Sequence, residues 1–233
     1  MRSGRGPGAS LESSPVTYEA DEKLPLILVG AGGHARILLS TLLLLERPIL
    51  GFVDIDESPR ELLGIQHIGN DHAVFDYDPR QVLLVNGVGS VASVKNRLRV
   101  YELFRARGYN FASVIHPGAI IAHETDLADG VQMMAGAILQ TGCVVREDCI
   151  INTGALLDHD CIIQPHAHIA PGAVLSGAVH VGARAHVGAG ATVIQGVHIG
   201  SDSIVGAGAV VLSDVPESCT VVGVPARPIK AKA

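Results

Sequence analysis

From Ile115 onward the chain keeps a beat of six. Ile115, Ile121, Leu127, Met133, Leu139, Val145 and Ile151 open a register that continues through Leu157, Ile163, Ile169, Leu175 and Val181 to Val211, aliphatic in all seventeen hexads. Four residues after each aliphatic comes a smaller one, such as Ala137, Cys143, Ala155, Cys161, Ala173 or Ala191. A period of six held this long is the mark of a repeat architecture. Side chains alternate between the faces of a strand, so the small residue and the next large one point inward while the residue between them points out. The other three residues turn a corner, and three sides close a triangular coil. Gly182, Gly188, Gly200 and Gly206 fall one residue after the large aliphatic. They are expected to supply the positive φ of the corners.

Upstream of residue 113 the pattern is different. An apolar run at 26–29 meets Gly30, Gly32 and Gly33, then an amphipathic helix ending near Glu46, then an apolar strand at 49–53 closed by Asp54. This is a βαβ unit with its glycine loop at a helix N-terminus, a ready site for an anion. The spacing falls short of GxGxxG, because Ala35 follows His34. The loop therefore points to a phosphate more than to a dinucleotide. Asp54 lies where a ribose hydroxyl could be bound, or is simply a cap to the strand. A strand over 81–90 ends in Gly87 and Gly89, a helix bearing Lys95, Arg97 and Arg99 follows, and a short strand near 111–115 leads into the repeat. The expected organisation is a tail at 1–24, a Rossmann-like α/β domain at 25–112, a β-helix at 113–215 and a C-terminal extension at 216–233.

Composition narrows the function. The chain has 233 residues, 48% hydrophobic and 3% aromatic, with 27 Gly and no Trp. That suits a core of stacked aliphatics rather than of large rings. A net charge of −6 argues against nucleic acid or an anionic membrane as partner. The longest apolar run, 37–45, is too short to span a bilayer, and the polar first 24 residues contain no signal-type apolar segment. Of the four cysteines, Cys143, Cys149 and Cys161 fall at the small inward position and no two form a CxxC pair. They read as reduced fillers of an intracellular, cytoplasmic protein.

Chemistry concentrates in "GALLDHDCIIQPHAHIAPG", residues 154–172. His159 stands on an outward corner between Asp158 and Asp160, suited to a general base with a carboxylate to orient it. His168 lies outward on a flat side, and His166 on a corner with no role assigned. Residues 18 apart stack, so His168 should lie beside His186 and His180 beside His198. Such stacks raise the alternative of a zinc site like that of γ-carbonic anhydrases. With no front domain in those proteins and no carboxylate second shell evident here, no metal is assigned.

The hexads resemble the left-handed parallel β-helix of hexapeptide acyltransferases, and the handedness comes from that resemblance. "GAGGHAR", "FVDID", "VNGVGS", "SVIHPGAII" and "LLDHDCII" together resemble the sialic-acid O-acetyltransferase-like family across residues 25–230. The resemblance implies a homotrimer with acetyl-CoA in the groove between neighbouring prisms. It also implies a front domain holding a nucleotide-linked amino sugar, usually with UDP, at Gly30, Gly32, Gly33, His34, Asp54 and Gly89. Many relatives carry Gly-Lys where this chain has Ala35 and Arg36; the arginine keeps the charge and leaves GDP open. By the same matching His159 is the base and the next acid its partner. The family usually has Glu there, and the shorter Asp160 would call for a bridging water. His168 would contact the thioester carbonyl, Gly177 would offer a backbone N–H nearby, and Arg227 and Lys230 would meet the CoA phosphates. The implied reaction is acetyl transfer to the amino group. O-acetylation of sialic acid is the alternative within enzymes, and a non-catalytic nucleotide-sugar scaffold the alternative outside them.

Overall fold

The computed structural model describes residues 24–56, 60–90 and 94–229. The tail at 1–23 and Lys230 lie outside the described residues. The front domain is a five-stranded sheet of β1 (Leu26–Val29), β2 (Ile49–Val53), β3 (Glu61–Leu62), β4 (Ile65–Gly69) and β5 (Leu83–Asn86). Its order is β3-β4-β2-β1-β5, parallel except for the β3–β4 pair. All four residues of β1 are buried because both faces of the sheet are covered. Leu26 and Leu28 pack with Leu38, Leu39 and Leu42 of helix α1 (Gly33–Leu44). Ile27 and Val29 pack on the other side with Val100 and Phe104 of helix α2 (Lys95–Arg105). The chain runs outward from β1 to β4 and then returns to the far side of β1 as β5. That reversal opens a crevice between the loops that follow β1 and β5, the place where open α/β sheets bind ligands.

The second part is a left-handed parallel β-solenoid. Its two-residue strands stack into three faces, one of six strands from Ile120–Ile121 to Val210–Val211 and one of five from Asp126–Leu127 to His198–Ile199. The third face has eight, beginning at Val114–Ile115 and closed by an antiparallel strand, Arg227–Ile229. Through the regular coils each strand pairs with the one 18 residues on, for example Leu156 with Val174 and Leu157 with Leu175, and the last parallel pair, Ile204 with Thr220, is 16 residues apart. The large aliphatics and the small residues between them form one dry column, most of it fully buried. The three inward cysteines are free thiols within it.

The corners differ from the sequence expectation. Positive φ falls three residues after the large aliphatic, at Gly136 (70°), Gly154 (66°), Asp148 (54°), Asp160 (59°) and His166 (62°), and not at Gly182, Gly188, Gly200 or Gly206. Those four glycines serve a close approach instead. A Cβ on Gly188 would lie 2.6 Å from the Ala207 nitrogen and the Val205 oxygen of the next coil. Asn152 and Asp158 occupy the equivalent position, and each accepts the N–H of the next residue at 2.8 Å. There a short polar side chain ties the turn locally, as Asx residues do.

The front domain docks on the eight-stranded face through a buried polar seam. Asp148, fully buried on a solenoid corner, accepts Arg97 at 2.6 Å, His166 Nδ1–H at 3.1 Å and Asn86 at 3.2 Å. Arg97 also donates to the carbonyls of Asn86 at 3.0 Å and Val88 at 2.9 Å, so it holds the loop that follows β5. The Tyr101 ring meets the His166 ring edge-on at 5.0 Å. Burying two charges is costly unless each is paired and hydrogen-bonded, and here Arg97 and Asn86 reach Asp148 from across the domain boundary while His166 supports it from the next coil.

Candidate active site

His159 sits on the corner joining the six- and five-stranded faces, and its side chain is 48% exposed. Asp158 accepts the His159 backbone N–H at 2.8 Å. Asp160 accepts from His159 Nδ1–H at 2.8 Å. The expectation of a bridging water is therefore corrected. Asp160 takes a left-handed φ of 59°, which turns its short side chain back onto the preceding ring and lets it reach directly. The hydrogen bond to Asp160, helped by the nearby Asp158 charge, raises the imidazole pKa above its ordinary value. Nδ1–H is committed to the carboxylate, so Nε2 is the nitrogen free to take a proton.

Two glycines, one coil away on either side, make room for this pair. A Cβ on Gly177 would lie 2.4 Å from His159 Nε2, and one on Gly142 would lie 2.4 Å from Asp160 Oδ1. Gly177 thus lies against His159 Nε2, and its own N–H has no backbone acceptor among the described residues. Gly142 escaped the sequence reading because its importance depends on a neighbour 18 residues away. Gly177→Ala is expected to displace the ring and lower kcat by more than 10-fold, with the circular dichroism spectrum and melting temperature little changed. Steady-state kinetics beside a thermal melt would check this.

His168 lies elsewhere. It projects outward from the eight-stranded face, as expected, yet it is only 5% exposed because the front domain covers it. Asn152 Oδ1 accepts from Thr153 N–H, so its amide nitrogen faces His168 Nε2 and donates to it at 3.0 Å. His168 Nδ1–H then donates to Ser90 Oγ at 2.8 Å. Burial, then the neighbouring His186, pushes its pKa down to about 3. His168 is thus a neutral, fully engaged residue of the domain seam, which corrects its placement on an open flat face. The expected stacks are present, with ring centroids 4.8 Å apart for His168–His186 and 5.2 Å for His180–His198. Among the described residues no three His, Cys, Asp or Glu side chains converge as metal ligands.

At the crevice, Gly30 takes a φ of 103° and approaches Gly87 so closely that a Cβ would sit 3.4 Å from the Gly87 carbonyl carbon. Gly32 and Gly33 face open space at the start of α1, where no side chain caps the first turn and no acidic residue stands. Asp54 accepts the N–H groups of Ala31 at 2.6 Å and Asp56 at 2.8 Å, which shapes the glycine loop. Gly30 and Asp54 line one cavity of about 200 Å³ together with Arg99. His34 and Gly89 do not line it; they lie together at the seam, where a Cβ on Gly89 would sit 3.4 Å from the His34 Cβ. The Gln132 amide donates to the Asn86 carbonyl and accepts His34 Nε2–H at 2.7 Å. Burial, then the Arg97 charge, lowers the His34 pKa to about 4. Arg36 faces away from this cavity, into a separate cleft with His116 and Thr153. The arginine that lines the cavity is Arg99, not Arg36; its place one turn after Lys95 and Asn96 on α2 was the available signal.

Arg227 is exposed on the last strand of the eight-stranded face, at the end away from the front domain, and donates to the Ala226 carbonyl at 2.8 Å. Within one chain, then, the structure gathers Gly30, Asp54 and the glycine loop at one site and His159, Asp160 and Gly177 at another. The solenoid stands between them, because the corner with His159 is opposite the face on which the front domain docks.

A nucleotide-type crevice joined to a hexad solenoid with a carboxylate-held histidine on its corner defines a sugar-modifying acyltransferase. The comparisons bear on that class directly. Residues 25–104 match the PglD N-terminal domain family and residues 178–213 the hexapeptide repeat of succinyl-transferase. A histidine-to-asparagine variant of perosamine N-acetyltransferase from Caulobacter crescentus, in complex with CoA and GDP-perosamine, is 35% identical with a TM-score of 0.84, covering 89% of this chain and 97% of its own. The acetyltransferase domain of PglB from Neisseria gonorrhoeae, in complex with acetyl coenzyme A, is 33% identical with a TM-score of 0.83, over 88% and 98% of the two chains. WeeI from Acinetobacter baumannii shares the fold at 23% identity and a TM-score of 0.80, over 88% of this chain and 100% of its own. No curated protein matches by sequence. The chain belongs to the PglD-type sugar acetyltransferases of the hexapeptide-repeat family. Among the described residues no helix is long and apolar enough to cross a membrane.

Proposed function

We propose that this protein transfers the acetyl group of acetyl-CoA to the amino group of a nucleotide-linked amino sugar, with His159 as general base. The observation that carries the reading is the His159–Asp160 pair on an exposed corner, with Nε2 free and facing the Gly177 backbone. The amine nitrogen attacks the thioester carbonyl carbon, a C–N bond forms, and His159 Nε2 takes the proton shed by nitrogen. The C–S bond then breaks and CoA leaves as the thiol, with the proton returned to sulfur. The Gly177 N–H is the donor best placed to meet the developing oxyanion. The His168 ring has both nitrogens engaged, and we assign it to the seam rather than to the thioester.

The nucleotide crevice and the base lie on different sides of one solenoid, so the reading requires a second copy. In a homotrimer, the corner of one copy meets the crevice of its neighbour, and the pantetheine arm of acetyl-CoA lies in the groove between them. Arg227 and Lys230 would meet the CoA phosphates at the far end of that groove. The front domain at 25–112 would then hold the nucleotide-linked sugar acceptor and the solenoid from 113 the acyl donor.

Thiol release measured with GDP- and UDP-linked 4-amino sugars, beside free sialic acid, tests the reaction. Release only with a nucleotide-linked amine supports it; release with sialic acid alone would move the acceptor to a hydroxyl, and none with any acceptor would remove the catalytic reading. A base must be unprotonated to act, so kcat should fall on the acid side as His159 takes up a proton. Asp160 raises that pKa, and losing it lowers the pKa. Asp160→Asn should therefore shift the acid limb of the kcat profile to lower pH while reducing the plateau several-fold. A limb that stays in place would show that the limiting group is not this imidazole.

A further inference from the structure

The crevice continues past Asp54. Beyond the first cavity, a second of about 250 Å³ is lined by Ile55, Asn70, Asp71, His72 and Arg99. Asp71 and Arg99 line both. Among the described residues neither forms an ion pair, with the other or with any third charge, although seven such pairs exist elsewhere in them. A carboxylate and a guanidinium facing one cleft without pairing leave a matched set of acceptors and donors unused. Ile55, 78% exposed, lines both cavities as an apolar surface. The opposite end of the crevice is the glycine loop, so a diphosphate there directs the nucleoside towards Asp71 and Arg99.

We infer that this end of the crevice is a guanine subsite, with Asp71 accepting from the base's N1–H and 2-amino group and Arg99 donating to its O6 and N7. The inference rests on the nucleotide-sugar reading above and names the base. Guanine presents two adjacent donors on one edge and two adjacent acceptors on the next. A carboxylate takes the first pair and a guanidinium the second, each in bidentate geometry. Uracil presents a single N3–H between two carbonyl oxygens. A carboxylate oxygen that accepted it would press its partner oxygen against a carbonyl lone pair. Ile55 then supplies the apolar surface on which the purine lies. Asn70 is held by its side-chain oxygen, which accepts His72 N–H at 3.0 Å, and so keeps its amide N–H groups for the ligand.

The test is calorimetric titration of the full-length chain with GDP, UDP and inosine diphosphate, which is GDP without the 2-amino group. A good bidentate pair discriminates by ~1–3 kcal/mol, or roughly 5- to 150-fold. Wild type should bind GDP at least 10-fold more tightly than UDP and at least 5-fold more tightly than inosine diphosphate. In Asp71→Asn the GDP and inosine diphosphate affinities should converge, chiefly by loss of GDP binding. Asp71 is half-buried, and its carboxylate has no ion pair among the described residues, so the isosteric change should leave the fold intact. The wild-type comparison of GDP with inosine diphosphate stands without the variant. Equal or tighter UDP binding would overturn the guanine assignment and leave the nucleotide-sugar reading intact, as would an unchanged preference in Asp71→Asn. Failure of all three diphosphates to bind would overturn both.

Discussion

His159→Ala is expected to lower kcat by ~10²–10⁴-fold, the usual weight of a positioned general base, without changing the fold. The side chain is half exposed on a solenoid corner, and its one side-chain hydrogen bond is to Asp160, itself exposed. The side chain is not part of the aliphatic column, so the melting temperature should stay within a few degrees of wild type. The loss should fall on kcat more than on the KM for either substrate, because the imidazole acts on a proton that moves during the attack. Asp160→Asn, which keeps the shape and removes the charge, should lie between wild type and His159→Ala. A His159→Ala enzyme with near wild-type turnover would remove the base from this corner. The measurement is a steady-state comparison of the purified proteins, with oligomeric state checked by light scattering.

The largest effect on stability is expected at the domain seam. Arg97→Met removes the guanidinium that pairs with Asp148 and leaves a buried carboxylate with, among the described residues, only Asn86 and His166 as donors. Breaking a buried pair from one side typically costs about 3–5 kcal/mol. It also frees the Val88 carbonyl and leaves the Asn86 carbonyl with Gln132 as its side-chain donor, which loosens the loop that forms one wall of the crevice. The expected outcome is a lower melting temperature together with weaker nucleotide binding, while the solenoid keeps its β-sheet circular dichroism signal. Adding Asp148→Asn should recover part of the stability, because no unpaired charge then remains buried. Thermal and denaturant unfolding of the single and double variants would show it; a double variant as unstable as the single one would mean that packing, not charge, holds the seam.

The residues differ in how much of this was legible beforehand. The six-residue beat alone gives the solenoid, because each coil repeats the same burial problem and solves it with the same residue sizes. The local motif Asp158–His159–Asp160 gives the candidate base for a similar reason, since all three groups act within one turn of chain. Corner geometry was misread, with positive φ assigned to the glycines one residue after the aliphatic. Sequence registers that a Cβ is missing, and structure tells whether the backbone's own angle or a neighbouring coil's backbone demanded it. Gly188 and Gly177 are cases of the second kind.

The sequence by itself determined the period, the inward column, the βαβ start and the candidate pair His159 and Asp160 in the 154–172 segment. Each depends on residues within about one coil of each other. Only the tertiary structure decided that His168 is sealed against Ser90, 78 residues away, that His34 meets Gln132 across 98, and that Asp148 is buried under Asn86 across 62. It also decided that Arg99, not Arg36, faces the crevice. These outcomes follow from docking one domain on one of three nearly equivalent faces. A repeat makes those faces alike in pattern, so the pattern cannot say which one is covered; the buried charges and hydrogen bonds of the contact do.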